Sequence, residues 1–587
     1  MQLRQSVIEL LTDLLGEHAG TPDELDAALT VPPKPEMGDL AFPCFPLAKA
    51  LRKAPPLIAK ELAEQAASML PRGGVARIEA MGPYLNVFSA PEQVLAGLLN
   101  ELDSGSFFEA AKTDAPARVM IEHSQPNTHK VFHVGHLRNV ALGDCLVRVF
   151  RERGHKVVAA NYYGDYGIDV AKCLWWVTTH PEDKAPETGR GAWLGEAYKS
   201  ATAALEAAKE SGDETTIAAV RGVLDGIGGA DPELRKLYED TRGWCLDEFA
   251  AVYDWLGVTF DHDFFESELE EAGQRIVDEY LEKGTFVPSQ GAIICDLEQE
   301  KLGAALVRKS DGTSLYLTWD LVLAREKFDR FDIERSLYVV GSEQSHHFRQ
   351  LFATLGHMGY ERAKDCRHVA YELVMLPEGK MSSRKGTAIP FHQLKRDVER
   401  SIEDKMRGEE RPARADWDEA RWDDTVRKIA VASLRYGMLR MSNTTRVIFD
   451  IDAWTNPEGD SGAYLLYGLA RISGIFRKGG RPAVPDLTAA IEAGGASAFG
   501  EEAERRLLNH LLAYPRMLAD TERDCDPSRL ATYLFDGVKE FSRFYHDCPV
   551  LKAEPGLKEA RLGLVAAAEI VFARCLELLG AEPVEEM

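Results

Sequence analysis

The sequence predicts an α/β protein: a Rossmann-like parallel sheet with a helical insertion, preceded by a small α+β domain and followed by an all-α bundle. Three observations carry that prediction. A strand pattern, a polar loop, a helix and a second strand follow one another within residues 118–165. Strand-length apolar runs return at 336–341 and 368–376, with a helical pattern between them, and beyond about residue 391 the chain reads as almost wholly helical. Such alternation builds doubly wound sheets, whose ligands sit at the carboxyl ends of the strands.

Taken in order, the first ~110 residues mix helical patterns with one strand-like stretch, Ala80 to Phe88, and form the α+β module, 1–112. The polar segment KTDAPA at 112–117 marks a boundary, and the alternation RVMIEH at 118–123 begins a buried strand. After the loop SQPNTHKVFHVGH, residues Leu137, Val140, Ala141, Leu146, Val147 and Phe150 recur at helical spacing up to Gly154. HKVVAANYYGD at 155–165 is the second strand. Residues from about 185 to 290 are rich in Ala, Glu, Lys and Arg and read as a helical insertion within the sheet domain, 113–390. A helical connector, 391–450, leads to a bundle, 451–587, that ends in the Ala/Leu-rich segment Leu557 to Gly580.

A chain of 587 residues exceeds one core and implies several domains. No apolar run approaches the roughly 18 residues of a membrane span, and the start lacks the compact apolar region and basic flank of a secretory signal. A cytoplasmic location is expected. The nine cysteines are scattered, without a C-x-x-C pair, so they are expected to be reduced and structural, with no structural zinc or other protein-held metal. The net charge of −25 argues against indiscriminate binding to polyanions, so any nucleic-acid contact must be local.

Two motifs carry chemistry. His133-Val134-Gly135-His136 lies between a strand and a helix, where helix N–H groups face phosphate, two imidazoles can bond its oxygens, and Gly135 lets a flat base lie against the backbone. Gly379-Lys380-Met381-Ser382-Ser383-Arg384-Lys385-Gly386 follows a strand, and its cations can clamp the charge developing on a departing pyrophosphate. A pair of loop histidines or a solvated basic turn would explain either motif alone. Together, in this order on one sheet, they resemble the HIGH-like and KMSKS-like motifs of class I aminoacyl-tRNA synthetases.

Within that class, EHSQPNTHKVFHVGHLRN (122–139) closely resembles the arginyl-tRNA synthetase family. YYGDYG (162–167) is similar to its GDWG-like element, FDHDFFES (260–267) to its FDxxxxES, and GTSLYLTWD (312–320) to the strand lining its amino-acid pocket. SEQSHHFRQLF (342–352), YLLYGLARI (464–472) and YLFDGVKEFSRFYHDCPVL (533–551) extend the resemblance to an anticodon-binding helical domain, so nearly the whole chain is covered.

The resemblance implies a ligase that activates L-arginine with ATP, carried with Mg²⁺, and transfers it to tRNA(Arg); a monomer is expected. His133 and His136 would stabilise the pentavalent phosphate, while Lys130, Lys380 and Lys385 hold pyrophosphate. Val134, Gly135, Met381, Ser382, Ser383 and Arg384 would complete the ATP site. Lys130, three residues before His133, would replace the second lysine of the KMSKS loop, although Arg384 and Lys385 leave the division of labour open.

A guanidinium has five donors and no acceptor, so its pocket needs a carboxylate placed for a two-pronged bond. The family match implies Asp320 for that role, with Tyr316 beside it and Gln344 as a further contact, while Glu122 and Asn127 hold the ammonium and carboxylate end. Tyr467, Arg471, Tyr545 and Met587 are the expected anticodon contacts, made by stacking and edge hydrogen bonds. The N-terminal module would touch the tRNA elbow. The chain departs from the family at Gln125, where serine is common. It departs again at Leu466-Tyr467-Gly468-Leu469, which replaces a Gln-Tyr-Ala-His run, and at Glu586, which replaces a basic residue. A synthetase for glutamate or cysteine, a silent RNA-binding paralogue and a small-molecule adenylyltransferase are the competing readings. The absent zinc ligands, the two intact motifs and the long C-terminal bundle argue against them in part.

Overall fold

The computed structural model describes residues 2–34, 37–377, 379–380, 389–408, 416–496 and 498–587. Its centre is a five-stranded, all-parallel sheet built from β1 (Arg118–Glu122), β2 (Lys156–Tyr163), β3 (His262–Phe265), β4 (Arg335–Gly341) and β5 (Cys366–Tyr371). The spatial order is β5-β4-β1-β2-β3. The chain therefore winds outward from β1 through β2 to β3, then returns to the other side of β1. That reversal opens a crevice at the carboxyl ends of β1 and β4, the place where doubly wound sheets bind ligands.

Helix α1 (Val134–Glu152) follows β1 and is buried almost throughout its length. α2 (Ile168–Thr179) follows β2, and α3 (Pro232–Leu256) is the long helix before β3. α4 (Tyr316–Phe331) and α5 (Ser345–His357) flank β4. The C-terminal half contributes α6 (Glu419–Leu439), α7 (Gly462–Gly479), α8 (Tyr514–Asp524), α9 (Ser528–Asp547) and α10 (Leu557–Leu579). One continuous core runs from Val7 through Val119 and Leu137 to Phe572, so the three regions pack as a single body. At their junction the buried Arg435 of α6 donates to Asp144 on α1 at 2.7 Å, to Leu256 O at the end of α3 and to Leu579 O at the end of α10. A guanidinium at two helix C-termini meets carbonyls that would otherwise be orphaned.

Four local readings are corrected. The stretch 80–88 is not one strand but a hairpin, Val75–Met81 with Tyr84–Ser89, joined by Leu40–Pro43 in a three-stranded antiparallel sheet. Gly82 and Pro83 supply the turn inside what reads as an apolar run. The segment 185–290 is not wholly a helical insertion: it contains β3, the edge of the central sheet, and Val287–Ser289, the first strand of a small antiparallel sheet completed by Ala292–Leu297 and Gly303–Arg308. Residues 312–320 do not form a strand. Helix α4 begins at Tyr316, because Leu317, Leu321, Ala324 and Phe328 bury at helical spacing. Finally, 368–376 breaks at Glu372 and Leu373 into β5 and the short strand Val374–Leu376.

Candidate active site and anticodon pocket

His133 is the N-cap of α1. Its Nδ1 accepts from Gly135 N–H at 3.0 Å, and His136 Nδ1 accepts from His133 N–H at 3.2 Å. The two rings lie 4.0 Å apart. Burial lowers the His133 pKa to about 4, and burial together with the charges of His133 and Lys130 holds His136 well below its usual value. Both imidazoles are therefore neutral at physiological pH. With each Nδ1 accepting, each neutral ring carries its proton on Nε2 and keeps that N–H as a donor.

Two expectations for this loop change. The first helix N–H groups are not free: Val134 N–H donates to Ile389 O, Gly135 N–H to His133, and His136 N–H to His133 O. The space over Gly135 is taken by the His133 ring, since a Cβ there would stand 2.8 Å from His133 Cε1. The Val134 side chain is fully buried. In this arrangement the backbone N–H groups at the start of α1 are engaged within the protein, and the imidazole Nε2–H groups are the donors left over. The segment after the second motif docks on the first through a bridge between His133 and Pro390. The Lys380 side chain and Met381, Ser382, Ser383, Arg384 and Lys385 lie outside the described residues. Lys130 extends its ammonium to Asp169 at 2.7 Å, and Lys172 reaches the same carboxylate at 2.6 Å. Although burial opposes the charge, these two lysines hold Asp169 down to about 2.

Asp320 and Glu266 belong to a cluster of carboxylates that lies in the field of Lys130. Tyr316 and Asp320 sit one turn apart at the start of α4, the tyrosine 58% exposed. Asp320 Oδ2 bonds His347 Nε2 at 2.6 Å, and this raises the His347 pKa against the opposing effect of burial. Glu266, which the sequence reading quoted only as part of FDHDFFES, faces the same space. Its carboxyl is buried, and burial with the charges of Asp165 and Asp320 raises its pKa well above the usual range. Tyr162, also missed, lies in the field of Asp320, Glu266 and Glu122, and its buried hydroxyl has no partner among the described residues. Buried carboxylates crowded together with an orphaned hydroxyl form a site short of donors and cations, which a guanidinium supplies.

Glu122, whose charge also reaches Tyr162, already has partners of its own. It is buried at the end of β1, paired with Lys327 and accepting from Gln125 Nε2 at 2.6 Å. Gln125 in turn accepts from Asn139 Nδ2 at 3.0 Å, which gives the departure from serine a structural place. Asn127 sits against Gly164, where a Cβ would meet its Oδ1 at 2.2 Å, so the glycine of YYGDYG makes room for it. Gln344 is exposed just beyond β4, at the mouth of the crevice.

The four expected anticodon residues converge. Tyr467, Arg471, Tyr545 and Met587 line one pocket of about 630 Å³, and the Arg471 guanidinium stands 4.9 Å from the Tyr467 ring and 5.3 Å from the Tyr545 ring. Glu586 pairs with Arg421 at 2.7 Å and Arg477 at 3.5 Å, tying the tail across the bundle. Leu466 and Leu469 are buried in the bundle core.

Comparison with known proteins matches three family models along the chain. They are the arginyl tRNA synthetase N terminal domain at residues 1–89, the class I (R) tRNA synthetase catalytic domain at 100–451 and the DALR anticodon binding domain at 465–587. Among curated relatives, an arginine–tRNA ligase of Bdellovibrio bacteriovorus is 38% identical, the match covering 100% of this chain and 99% of the relative. One from Treponema denticola is 33% identical over 95% and 94%. The Thermus thermophilus arginyl-tRNA synthetase structure superposes with a TM-score of 0.79 at 25% identity, covering 100% of both chains. The Plasmodium falciparum enzyme shares the fold, with a TM-score of 0.74 at 19% identity over 100% of this chain and 99% of that one.

Proposed function

The chain belongs to the arginyl-tRNA synthetase family, and from that premise we propose how its own residues serve the ligase reaction. It is a class I arginine–tRNA ligase, and it binds ATP, arginine and tRNA as substrates. The observation that carries our assignment of roles is the juxtaposition of two neutral imidazoles with a carboxylate-rich, donor-poor pocket at one crevice of the sheet.

The guanidinium enters between Asp320 and Glu266 and donates to both, while Tyr316 and the Tyr162 hydroxyl border it. In this reading His347 is the positioning residue that holds Asp320 before arginine arrives. Asn127 and Gln344 serve the α-amino and carboxylate end, and Glu122, already neutralised by Lys327, sets that end of the crevice rather than carrying a free charge. The α-carboxylate of arginine is ionised at neutral pH and needs no base to attack the α-phosphorus. The bond from α-phosphorus to the bridging oxygen of pyrophosphate breaks as the mixed-anhydride bond from the carboxylate to α-phosphorus forms, and pyrophosphate leaves. The His133 and His136 Nε2–H groups donate to the phosphoryl oxygens as charge gathers there. Lys130 leaves Asp169 to meet the departing pyrophosphate, with the lysines of the KMSKS-like loop.

Mg²⁺ would enter bound to the ATP phosphates: among the described residues no three His, Cys, Asp or Glu side chains converge to hold it. The tRNA is specific for arginine, its anticodon bases stacking on Tyr467, Arg471 and Tyr545, with Met587 closing the pocket. We assign 1–112 to the tRNA elbow, 113–390 to catalysis, 391–450 to the connector and 451–587 to the anticodon, in a cytoplasmic monomer. No helix among the described residues is long and apolar enough to cross a membrane. ATP–pyrophosphate exchange tests the reading: it should require arginine and rise strongly with cognate tRNA. Exchange with another amino acid and none with arginine would overturn it.

A further inference from the structure

A second cavity lies at the opposite edge of the sheet, between the amino ends of β4 and β5 and helix α8, with a volume of about 640 Å³. Five cations line it, Arg153, Arg335, Lys364, Arg367 and Arg523, against two carboxylates, Asp365 and Glu522. That balance is the reverse of the chain's, which carries −25 overall.

The two carboxylates are already committed. Glu522 pairs with Arg153 at 2.6 Å and His155 at 2.8 Å, and Asp365 pairs with Arg362 at 3.3 Å. Arg523 is matched by Asp520 and Asp524. Arg367 donates at 3.1 Å and 3.0 Å to the carbonyls of Arg523 and Asp524, the C-terminus of α8, so its guanidinium is fixed in place without a carboxylate partner. Arg335 and Lys364 have no ion pair or hydrogen bond among the described residues. The parallel register pairs Ser336 with Cys366 and Leu337 with Arg367, which sets Arg335 at the head of the same strand pair. Arg335 and Arg367 both bear on the Cys525 thiol in the cavity wall. Three uncompensated cations therefore share one rigid concavity.

We propose that this cavity is an anion site for a free oligophosphate, a compact ligand with at least two phosphate groups. Guanidinium forks match phosphate oxygens in pairs, and a volume of this order suits a small molecule. Its position, at the amino ends of strands whose carboxyl ends face the histidines, separates it from the reacting ATP. The excess of cations is confined to this one concavity of a chain that carries −25 overall, which suits a compact anion that fits within it.

The test is calorimetric titration of the full-length chain with tripolyphosphate, the reaction site being saturated with arginine and a non-hydrolysable ATP analogue. One further equivalent should bind. The double variant Arg335→Glu with Lys364→Glu should lose about tenfold or more in affinity, with unchanged melting temperature and exchange activity. No binding once the reaction site is filled, or equal affinity in the variant, overturns the proposal. So does a variant that loses affinity for tRNA while holding tripolyphosphate, which would assign these cations to the RNA backbone.

Discussion

The Ser267 hydroxyl donates to Asp165 at 2.7 Å, closing two sequence motifs on each other across 102 residues. The same carboxylate accepts from Ser267 N–H at 2.9 Å and the Tyr238 hydroxyl at 3.0 Å, and pairs with Arg242 at 2.8 Å. Ser267 is the neighbour of Glu266, so this buried acid from YYGDYG fixes where the acid of FDHDFFES stands. Three hydrogen bonds and an ion pair on one buried carboxylate hold that carboxylate in one geometry.

Asp165→Asn removes the charge that Arg242 and three other donors face. Chemical denaturation should register a loss of about 2–4 kcal/mol. The arginine KM should rise as Glu266 loses its support. An unchanged unfolding midpoint together with an unchanged KM would refute this arrangement.

Asp320→Asn keeps the shape of the pocket and halves its grip on the guanidinium. Truncating one partner of a largely desolvated charge pair costs roughly 2–4 kcal/mol, so exchange kinetics should show kcat/KM for arginine falling by about 30- to 1000-fold. A loss under about threefold would remove Asp320 from the contact.

The proposed roles put the signature histidines on the phosphate and not on arginine. His133→Asn and His136→Asn should each lower kcat by about a hundred- to a thousandfold, as loss of an oxyanion donor does, with arginine KM within about threefold. An equal effect on KM alone would mean the rings only shape the loop.

Arginine binding should strengthen as pH rises. Glu266 is protonated more readily than an ordinary carboxyl because burial and the charges of Asp165 and Asp320 raise its pKa, so guanidinium binding must expel that proton. His347, raised by Asp320, acts in the same direction by neutralising that carboxylate when protonated. Below the raised pKa the Glu266 proton alone should make the arginine Kd fall by up to about tenfold per unit rise in pH, and Glu266→Gln should remove that part of the slope. Calorimetry between about pH 6 and 8 reads this out. A slope of the opposite sign would contradict the assignment.

How much of this was legible beforehand depends on the length of each signal. The run from Arg118 to Tyr163 was readable because strand, helix and strand each show their period over enough residues. GTSLYLTWD was too short to separate a strand from the first turn of α4, and only the burial of Leu321 and Phe328 further on decides it. β3 was hidden because its four residues follow a long helical region and are half polar. Tyr467, Arg471, Tyr545 and Met587 stand out only through family resemblance, and the fold brings all four to one pocket. Glu266 and Tyr162 were missed because their importance is three-dimensional: each matters through Asp320, which lies far along the chain. For Glu122, nothing in the sequence signals that Lys327 pairs with it.

The most direct measurement is a crystal structure with arginine and a non-hydrolysable ATP analogue bound. The guanidinium should lie between Asp320 and Glu266, with His133 Nε2 and His136 Nε2 within hydrogen-bond reach of phosphoryl oxygens. A guanidinium elsewhere, with Asp320 still bonded only to His347, would contradict the account.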